Sequence, residues 1–312
     1  MKKTLEALFH QPIVSVKTLG EQYAGRANDV WLVSLQDQTE YVIKSPKMAR
    51  EESEFVFGIN MIYGVDAHTV QEHIDQINQK LSHTNSFHIP EVVRKVKKAG
   101  RYFYIMEKVE GTPLTSFEGR SSNFYQDYGR KLARLHSDRI HSFGAVYGAE
   151  KRHLREFHAL LKKAVSKLIS CYYADQTELQ CYAEIVQQKL GKLRPPDSAS
   201  LILIDLDPSQ YIEKNDQVTS LVDTEYVVYG PAAFDFIALE YLLTKEAAQD
   251  VQAGYEEICP LPRQLHEVRE CYRFVSLLLD IHGSWDMKKW MNHPVRFTSK
   301  NEGFKSAKGA GL

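Results

Sequence analysis

Short apolar runs rich in β-branched and aromatic residues, set off by polar or glycine-containing turns as strands are, occupy residues 13–19, 30–35 and 41–44. A polar turn at 36–39 joins the second and third runs. Residues 91–96 and 102–106 repeat the pattern around a turn at 97–100, so five antiparallel strands are predicted in the first third of the chain. Between them the spacing changes. Ile74, Ile77 and Leu81 recur at helical intervals and predict a helix over 69–81. The preceding stretch, 45–68, carries Phe55, Phe57, Ile59, Met61, Ile62 and Tyr63, which is too apolar for a free linker, and is expected to pack as additional structure. From residue 123 onward helical spacing dominates. Phe124, Tyr128, Leu132 and Leu135 mark one buried face, residues 150–193 read as one or two long amphipathic helices, and further helices are expected near 236–254 and 263–281. The expected class is α+β, with a sheet-rich beginning and a helical remainder.

One stretch in the helical part breaks the rhythm. Two short apolar runs, 201–204 and 220–222, end in Asp205 and Asp223, with turns at Pro208-Ser209 and Asn215-Asp216 between them. Carboxylates at the ends of buried strands are costly unless something pairs or uses them. One Mg²⁺ held by a carboxylate, with a second carboxylate facing a substrate hydroxyl, would satisfy both. The bland alternative is a pair of turn-forming or helix-capping aspartates.

The order Asp205, Gln210, Asp223 resembles the catalytic segment of the aminoglycoside phosphotransferase and choline kinase-like superfamily, written H-G-D-x-x-x-x-N followed by I-D-x-E. Asp205, Leu206 and Pro208 fall on the first half, Val222-Asp223-Thr224-Glu225-Tyr226 on the second, and Gly230-Pro231-Ala232-Ala233-Phe234-Asp235 on the G-D-P-x-x-D-L stretch that follows. Leu203, Ile204 and Gln210 stand where His, Gly and Asn are usual. Residues 107–114, Glu-Lys-Val-Glu-Gly-Thr-Pro-Leu, are similar to the family hinge, and Tyr41-Val42-Ile43-Lys44 to the strand whose Lys binds phosphates.

The resemblance implies a bilobal protein kinase-like fold, with a nucleotide-binding lobe over 1–110 and a catalytic and substrate-binding lobe over 111–312. It implies a phosphotransferase that uses Mg²⁺ and either ATP or GTP to phosphorylate a hydroxyl of a small molecule. Asp205 would be the catalytic carboxylate, and Asp223 with Gln210 the metal ligands. Lys44, partnered by Glu72 with Glu54 as the runner-up, would hold the phosphates. Gly25, in the hairpin loop bracketed by Gly20, would let backbone approach those phosphates, since glycine has no side chain to obstruct them. Backbone near Glu107 and Val109 would take the base. Asp207 is a candidate third contact, whereas His136 reads as a structural hydrogen-bonding residue. For the acceptor, Glu240, Glu256, Glu257, Asp280 and Asp286 offer charge and Tyr241, Trp285 and Trp290 offer stacking walls. Aminoglycosides, macrolides, choline-like amines, sugars and amino alcohols all remain open. The departures at Leu203 and Gln210 motivate an alternative, a catalytically weak nucleotide-binding regulatory protein of the same fold.

Composition narrows the classes without choosing among them. The 312 residues are 43% hydrophobic and 25% charged, with 39 basic against 40 acidic residues and a net charge of −1. No global field favours nucleic acid or an anionic membrane, so neither is expected as a partner. Glu6, His10 and Pro12 interrupt any signal-peptide core, and no apolar run approaches the ~20 residues of a spanning helix. Cys171, Cys181, Cys259 and Cys271 lack metal or redox spacing and are read as reduced, buried thiols of a cytoplasmic protein. Oligomeric state is not written in the sequence.

Overall fold

The computed structural model describes residues 2–20, 28–47, 53–98, 100–148, 150–283 and 286–298. The chain divides into two compact units, one of residues 1–52 with 89–111, the other of 53–88 with 112–312.

The first unit is a five-stranded antiparallel sheet with a short helix, α1 (Lys2–Glu6). Its strands are β1 (Ile13–Leu19), β2 (Asn28–Leu35), β3 (Glu40–Pro46), β4 (Val92–Lys98) and β5 (Arg101–Glu107), in spatial order β1-β2-β3-β5-β4. All five predicted strands are present. Alternation places Trp31, Val33, Leu35, Ile43, Phe103 and Ile105 on one buried face, which Leu5 and Leu8 cover. Helix α1 was not predicted, because Leu5 and Leu8 make too short an apolar pattern to register as a period. Arg101 bridges to Asp29 at 2.5 Å and Lys108 to Glu40 at 2.6 Å.

The second unit begins with α2 (Glu54–Tyr63), the packed structure expected of the apolar stretch before it. Ser53 caps its first turn by accepting the Val56 N–H, and Gly64 ends it at φ 73° in the left-handed region that glycine enters most readily. Ile59 and Ile62 are fully buried. The predicted 69–81 helix is a 3₁₀ turn (Val70–His73) leading into α3 (Ile74–Ser82), with Ile74, Ile77 and Leu81 inward as expected.

A three-stranded sheet follows, built from β6 (Thr112–Pro113), β10 (Tyr211–Glu213) and β11 (Val218–Leu221) in the order β11-β10-β6. A four-stranded sheet, order β8-β7-β12-β9, comprises β7 (Ser142–Ala145), β8 (Arg152–His153), β9 (Ser200–Ile202) and β12 (Val228–Gly230). Around these lie α4 (Ser122–Ser137), α5 (Phe157–Tyr172), α6 (Thr177–Leu190), α7 (Ala233–Leu239), α8 (Lys245–Glu256), α9 (Leu265–Leu278) and α10 (Met287–Met291). The expected 236–254 helix is two helices. Thr244 breaks it, because its side chain accepts the Ala247 N–H and so starts α8 anew.

Helices α4 and α8 approach through glycine. A Cβ on Gly129 would lie 2.1 Å from the Val251 carbonyl oxygen, and one on Gly254 would lie 2.0 Å from that of Gln126. Both obstacles are backbone, so Gly254→Ala must separate the helices. We expect a loss of roughly 1–3 kcal/mol, read as a lower midpoint in urea unfolding with an unchanged slope.

Two cysteines differ from expectation. Cys259 and Cys271 are buried, but Cys171 and Cys181 are exposed on α5 and α6, and all four are free thiols. Among the described residues no helix is long and apolar enough to cross a membrane.

Candidate active site

Strand β9 stops at Ile202, and the next two residues are held by one buried side chain. The Asp235 carboxylate, on α7 and fully buried, accepts the Leu203 N–H at 3.0–3.1 Å and the Ile204 N–H at 3.1 Å. It also meets His136 Nε2 at 3.2 Å, and His136 Nδ1 meets the Tyr255 hydroxyl at 3.1 Å. His136 is 1% exposed and has the structural place its sequence context suggested. Ile204 sits at φ 61°, where a β-branched residue strains by about 1–3 kcal/mol. The hydrogen bond from its own N–H to Asp235 helps to hold it there.

Asp205 follows directly. Its Oδ1 accepts the Asp207 N–H at 3.1 Å, and the Gln210 amide donates to its carboxylate. Asp207 in turn accepts the Ser209 N–H at 2.7 Å, which caps the 3₁₀ turn Pro208–Gln210. Burial pushes the Asp205 carboxyl up from 3.8 to about 6, the neighbouring charges of Asp207 and Asp223 add to the rise, and the two hydrogen bonds oppose it.

The β10–β11 hairpin then returns the chain to the same place. Tyr211 pairs with Leu221, and one residue further out the Val222 N–H donates to the Gln210 carbonyl at 2.8 Å. Asp223 is therefore next in line beside Gln210. It is exposed, at φ 58° and ψ 51°. The hairpin is anchored where the buried hydroxyls of Tyr211 and Tyr128 meet at 2.9 Å. Beyond Asp223, Thr224 Oγ1 donates to Asn78 on α3 at 2.5 Å, and Gln71 Nε2 donates to the buried Glu225 at 2.8 Å. The chain is thus fixed on both sides of Asp223.

Asp205, Asp207, Gln210 and Asp223 come together on the second unit. Glu72 is exposed in the 3₁₀ turn of the same unit, and Glu54 lies in the first turn of α2. On the first unit, Lys44 lies on the central strand β3, opposite Val30 and Tyr104, and is 6% exposed. Glu107 ends β5 with its N–H donated to Glu91 O at 3.0 Å, and Val109 follows half-buried. Gly25 falls outside the described residues.

Among the described residues no three His, Cys, Asp or Glu side chains gather to hold a metal unaided. The donors present fit Mg²⁺, which ordinarily takes one or two carboxylates and completes its shell with water and phosphate oxygen. Asp223 is open to solvent, and donation from the Gln210 amide to Asp205 leaves that amide's oxygen as an acceptor.

Several acceptor candidates are structural. Glu240 is 1% exposed between Arg269 and Arg273. Trp290 is buried, stacked on Tyr241 at 3.8 Å, and donates its indole N–H to Arg273 O. Glu257 pairs with Arg130, and Asp286 caps α10. Glu256 accepts from Gln252 Nε2 at 3.1 Å, and Trp285 lies outside the described residues. Helical periodicity cannot separate such partners from ligands.

Two structural roles are not legible in the sequence. Asp235 falls on the G-D-P-x-x-D-L stretch, but its hold on the Leu203 and Ile204 N–H groups, 32 and 31 residues away, leaves no local signal. His282, in the turn after α9, has Nε2 3.0 Å from the Ala238 carbonyl; burial lowers its basicity while the Asp207 charge raises it.

The model of one family, described as the phosphotransferase enzyme family, matches residues 21–270. The chain belongs to the phosphotransferase enzyme family. No functionally curated protein matches it. Solved structures with the same protein kinase-like fold include a macrolide 2′-phosphotransferase, MphH, from Brachybacterium faecium (14% identity, 87% of this chain and 88% of that one, TM-score 0.58). The ADP-bound aminoglycoside phosphotransferase APH(2″)-Ib is 15% identical over 97% and 93%, with a TM-score of 0.58. A GDP complex of aminoglycoside 2′-phosphotransferase-IIIa is 16% identical over 98% and 92%, with a TM-score of 0.57. For a phosphotransferase-family loop the substitutions at Leu203 and Ile204 are buried ones, each 3% exposed, and the backbone there is held by Asp235.

Proposed function

We propose that the chain transfers the γ-phosphoryl group of ATP or GTP to a hydroxyl of a small molecule, with Asp205 as the group that receives the hydroxyl proton. The observation that carries this reading is the placement of Asp205 beside Gln210 and Asp223 by a hairpin fastened at both ends. A carboxylate with a pKa near 6 is ionised at neutral pH, yet more basic than an ordinary aspartate. It is suited to orient a hydroxyl and to take its proton late in transfer.

Asp223 and the Gln210 amide oxygen would hold Mg²⁺, which when bound neutralises charge on the phosphate oxygens. Lys44, steadied by Glu72, would fix the phosphates, the loop containing Gly25 would approach them, and backbone at Glu107 and Val109 would take the base. We assign residues 1–110 to nucleotide binding and 111–312 to catalysis and the acceptor. Phosphoryl transfer asks a protein mainly for position and charge, so this sparse set is sufficient. ADP and GDP in proteins of the same fold support a nucleotide co-substrate of either base. The regulatory alternative is less favoured, since Leu203 is buried and the loop keeps its anchor without a histidine there.

Two results are expected in calorimetric titrations. Asp223→Ala removes the Mg²⁺-dependent part of nucleotide affinity, and Lys44→Ala weakens binding with or without metal by about tenfold or more. Unchanged Mg·ATP and Mg·GTP affinity in both variants would place the nucleotide elsewhere. Gln210 carries one methylene more than the Asn usual in the family, a displacement of ~1.5 Å that Mg²⁺ at about 2.0–2.1 Å does not absorb. Either the Pro208-Ser209 turn would set the backbone further back or a water would stand between Gln210 and the ion, and in both cases Gln210→Ala should raise the Mg²⁺ concentration for half-maximal turnover at saturating nucleotide. Superimposable titrations of variant and wild type would reduce Gln210 to a loop residue.

A further inference from the structure

Helix α9 carries two arginines into the interior against one carboxylate. Arg269 Nε and Arg273 Nη2 both donate to Glu240, the two guanidinium side chains 8% and 5% exposed and the carboxylate side chain 1%. The set keeps one positive charge that no buried group on it balances. Its remaining donors go mainly to the chain after α10: Arg269 Nη2 to Phe297 O at 2.6 Å, and Arg273 Nη1 to His293 O at 2.6 Å. Two donor atoms are left over among the described residues. Arg273 Nε is buried without a partner, and Arg269 Nη1 has none.

Both arginines line a cavity of about 700 Å³ between α6, α9 and α10, a volume ordinary for a small-molecule site. Met287, Met291 and Val295 give it an apolar wall and Tyr182 an aromatic one. The acidic residues at its mouth are already matched, Glu270 with Lys189 and Glu178 with Lys288. The cavity runs beside the first turns of α9, whereas His282 and its neighbour Asp207 belong to the other end. Asp205, Asp207, Gln210 and Asp223 do not line it.

We infer that this cavity binds a small organic monoanion, a carboxylate carried on an apolar body, with the carboxylate on Arg269. One negative charge completes the balance of the two arginines and Glu240, and a guanidinium edge matches a carboxylate in geometry. The apolar body packs on Met287, Met291 and Val295. A dianion would overshoot the charge, and a neutral ligand would leave it standing.

The test uses the full chain labelled with ¹³C-methyl methionine, without nucleotide. Benzoate serves as the probe, with benzamide as its neutral isostere and inorganic phosphate as the anion without an apolar body. Benzoate is expected to shift the Met287 and Met291 methyl resonances saturably, and the other two are not. Arg269→Gln leaves Glu240 paired with Arg273 and should weaken benzoate about tenfold, the loss of one charge-assisted contact. Val295 is 47% exposed, so Val295→Glu is compatible with folding and should also weaken benzoate by repulsion at the wall. Absence of any shift, equal shifts with benzamide or phosphate, or undiminished benzoate binding in Val295→Glu would each overturn the assignment. Should Arg269→Gln fail to fold, Val295→Glu decides alone.

Discussion

Asp205→Asn should make the protein more stable while removing its turnover. The two effects have one origin. The carboxyl titrates near 6 in place of 3.8, chiefly because burial disfavours its charge. A carboxyl raised in this way favours the folded state while protonated, and that advantage disappears as pH climbs through the folded value of about 6. Above it the buried charge weighs on the fold. The rise from 3.8 to about 6 corresponds to roughly 3 kcal/mol, and partial exposure reduces this to ~1–2 kcal/mol. Asparagine keeps an oxygen for the Asp207 N–H and carries no charge. Urea unfolding at pH 8 should therefore show the variant stabilised by ~1–2 kcal/mol, with the difference shrinking toward zero near pH 4. Turnover should fall by about 10²–10⁴ with nucleotide affinity nearly unchanged, and wild-type activity should decline as pH drops through about 6. A variant no more stable than wild type at pH 8 would mean that Asp205 is not held in the environment described.

Asp235→Ala should have the largest effect on folding. It removes one carboxylate and strands the Leu203 and Ile204 N–H groups together with His136 Nε2, all in the interior. Buried donors left without an acceptor amount to a loss of about 3–5 kcal/mol, only partly offset as the strained Ile204 relaxes. That is a large part of the 5–15 kcal/mol typical of a domain. Asp235→Asn retains one acceptor oxygen and should lose about half as much. Circular dichroism during urea unfolding orders the three proteins as wild type, Asn, Ala. Coincident curves for wild type and Ala would show that the loop keeps its shape by other means.

The sequence was most legible where one pattern repeats. Short apolar runs at 13–19, 30–35, 41–44, 91–96 and 102–106, separated by polar or glycine-containing turns, located every strand of the first unit. The 45–68 stretch was read as packed structure, and Ile59 and Ile62 of α2 are indeed wholly buried. Short elements were missed for a definite reason. Strands β7, β8 and β12 have two to four residues each, less than two periods, and exist because β12 returns beside β9. That Asp205, Gln210 and Asp223 lie near one another was legible from their order. What brings Gln210 beside Asp223 is the register Tyr211–Leu221, a pairing that no local pattern encodes. The acceptor side was least legible. Glu240 and Trp290 offered the right chemistry but are occupied by Arg269, Arg273 and Tyr241, partners far away in sequence.

The central claim is transfer of a phosphoryl group by the loop that Asp235 holds. It is tested most directly by supplying γ-³²P-labelled ATP or GTP with Mg²⁺ to wild type and Asp205→Asn side by side, against aminoglycosides, macrolides, sugars, choline-like amines and amino alcohols. Label is expected on a hydroxyl of at least one acceptor class with wild type, and at about 10²–10⁴-fold lower rate with the variant. No labelled acceptor from either nucleotide, or equal labelling by the two proteins, would contradict the account.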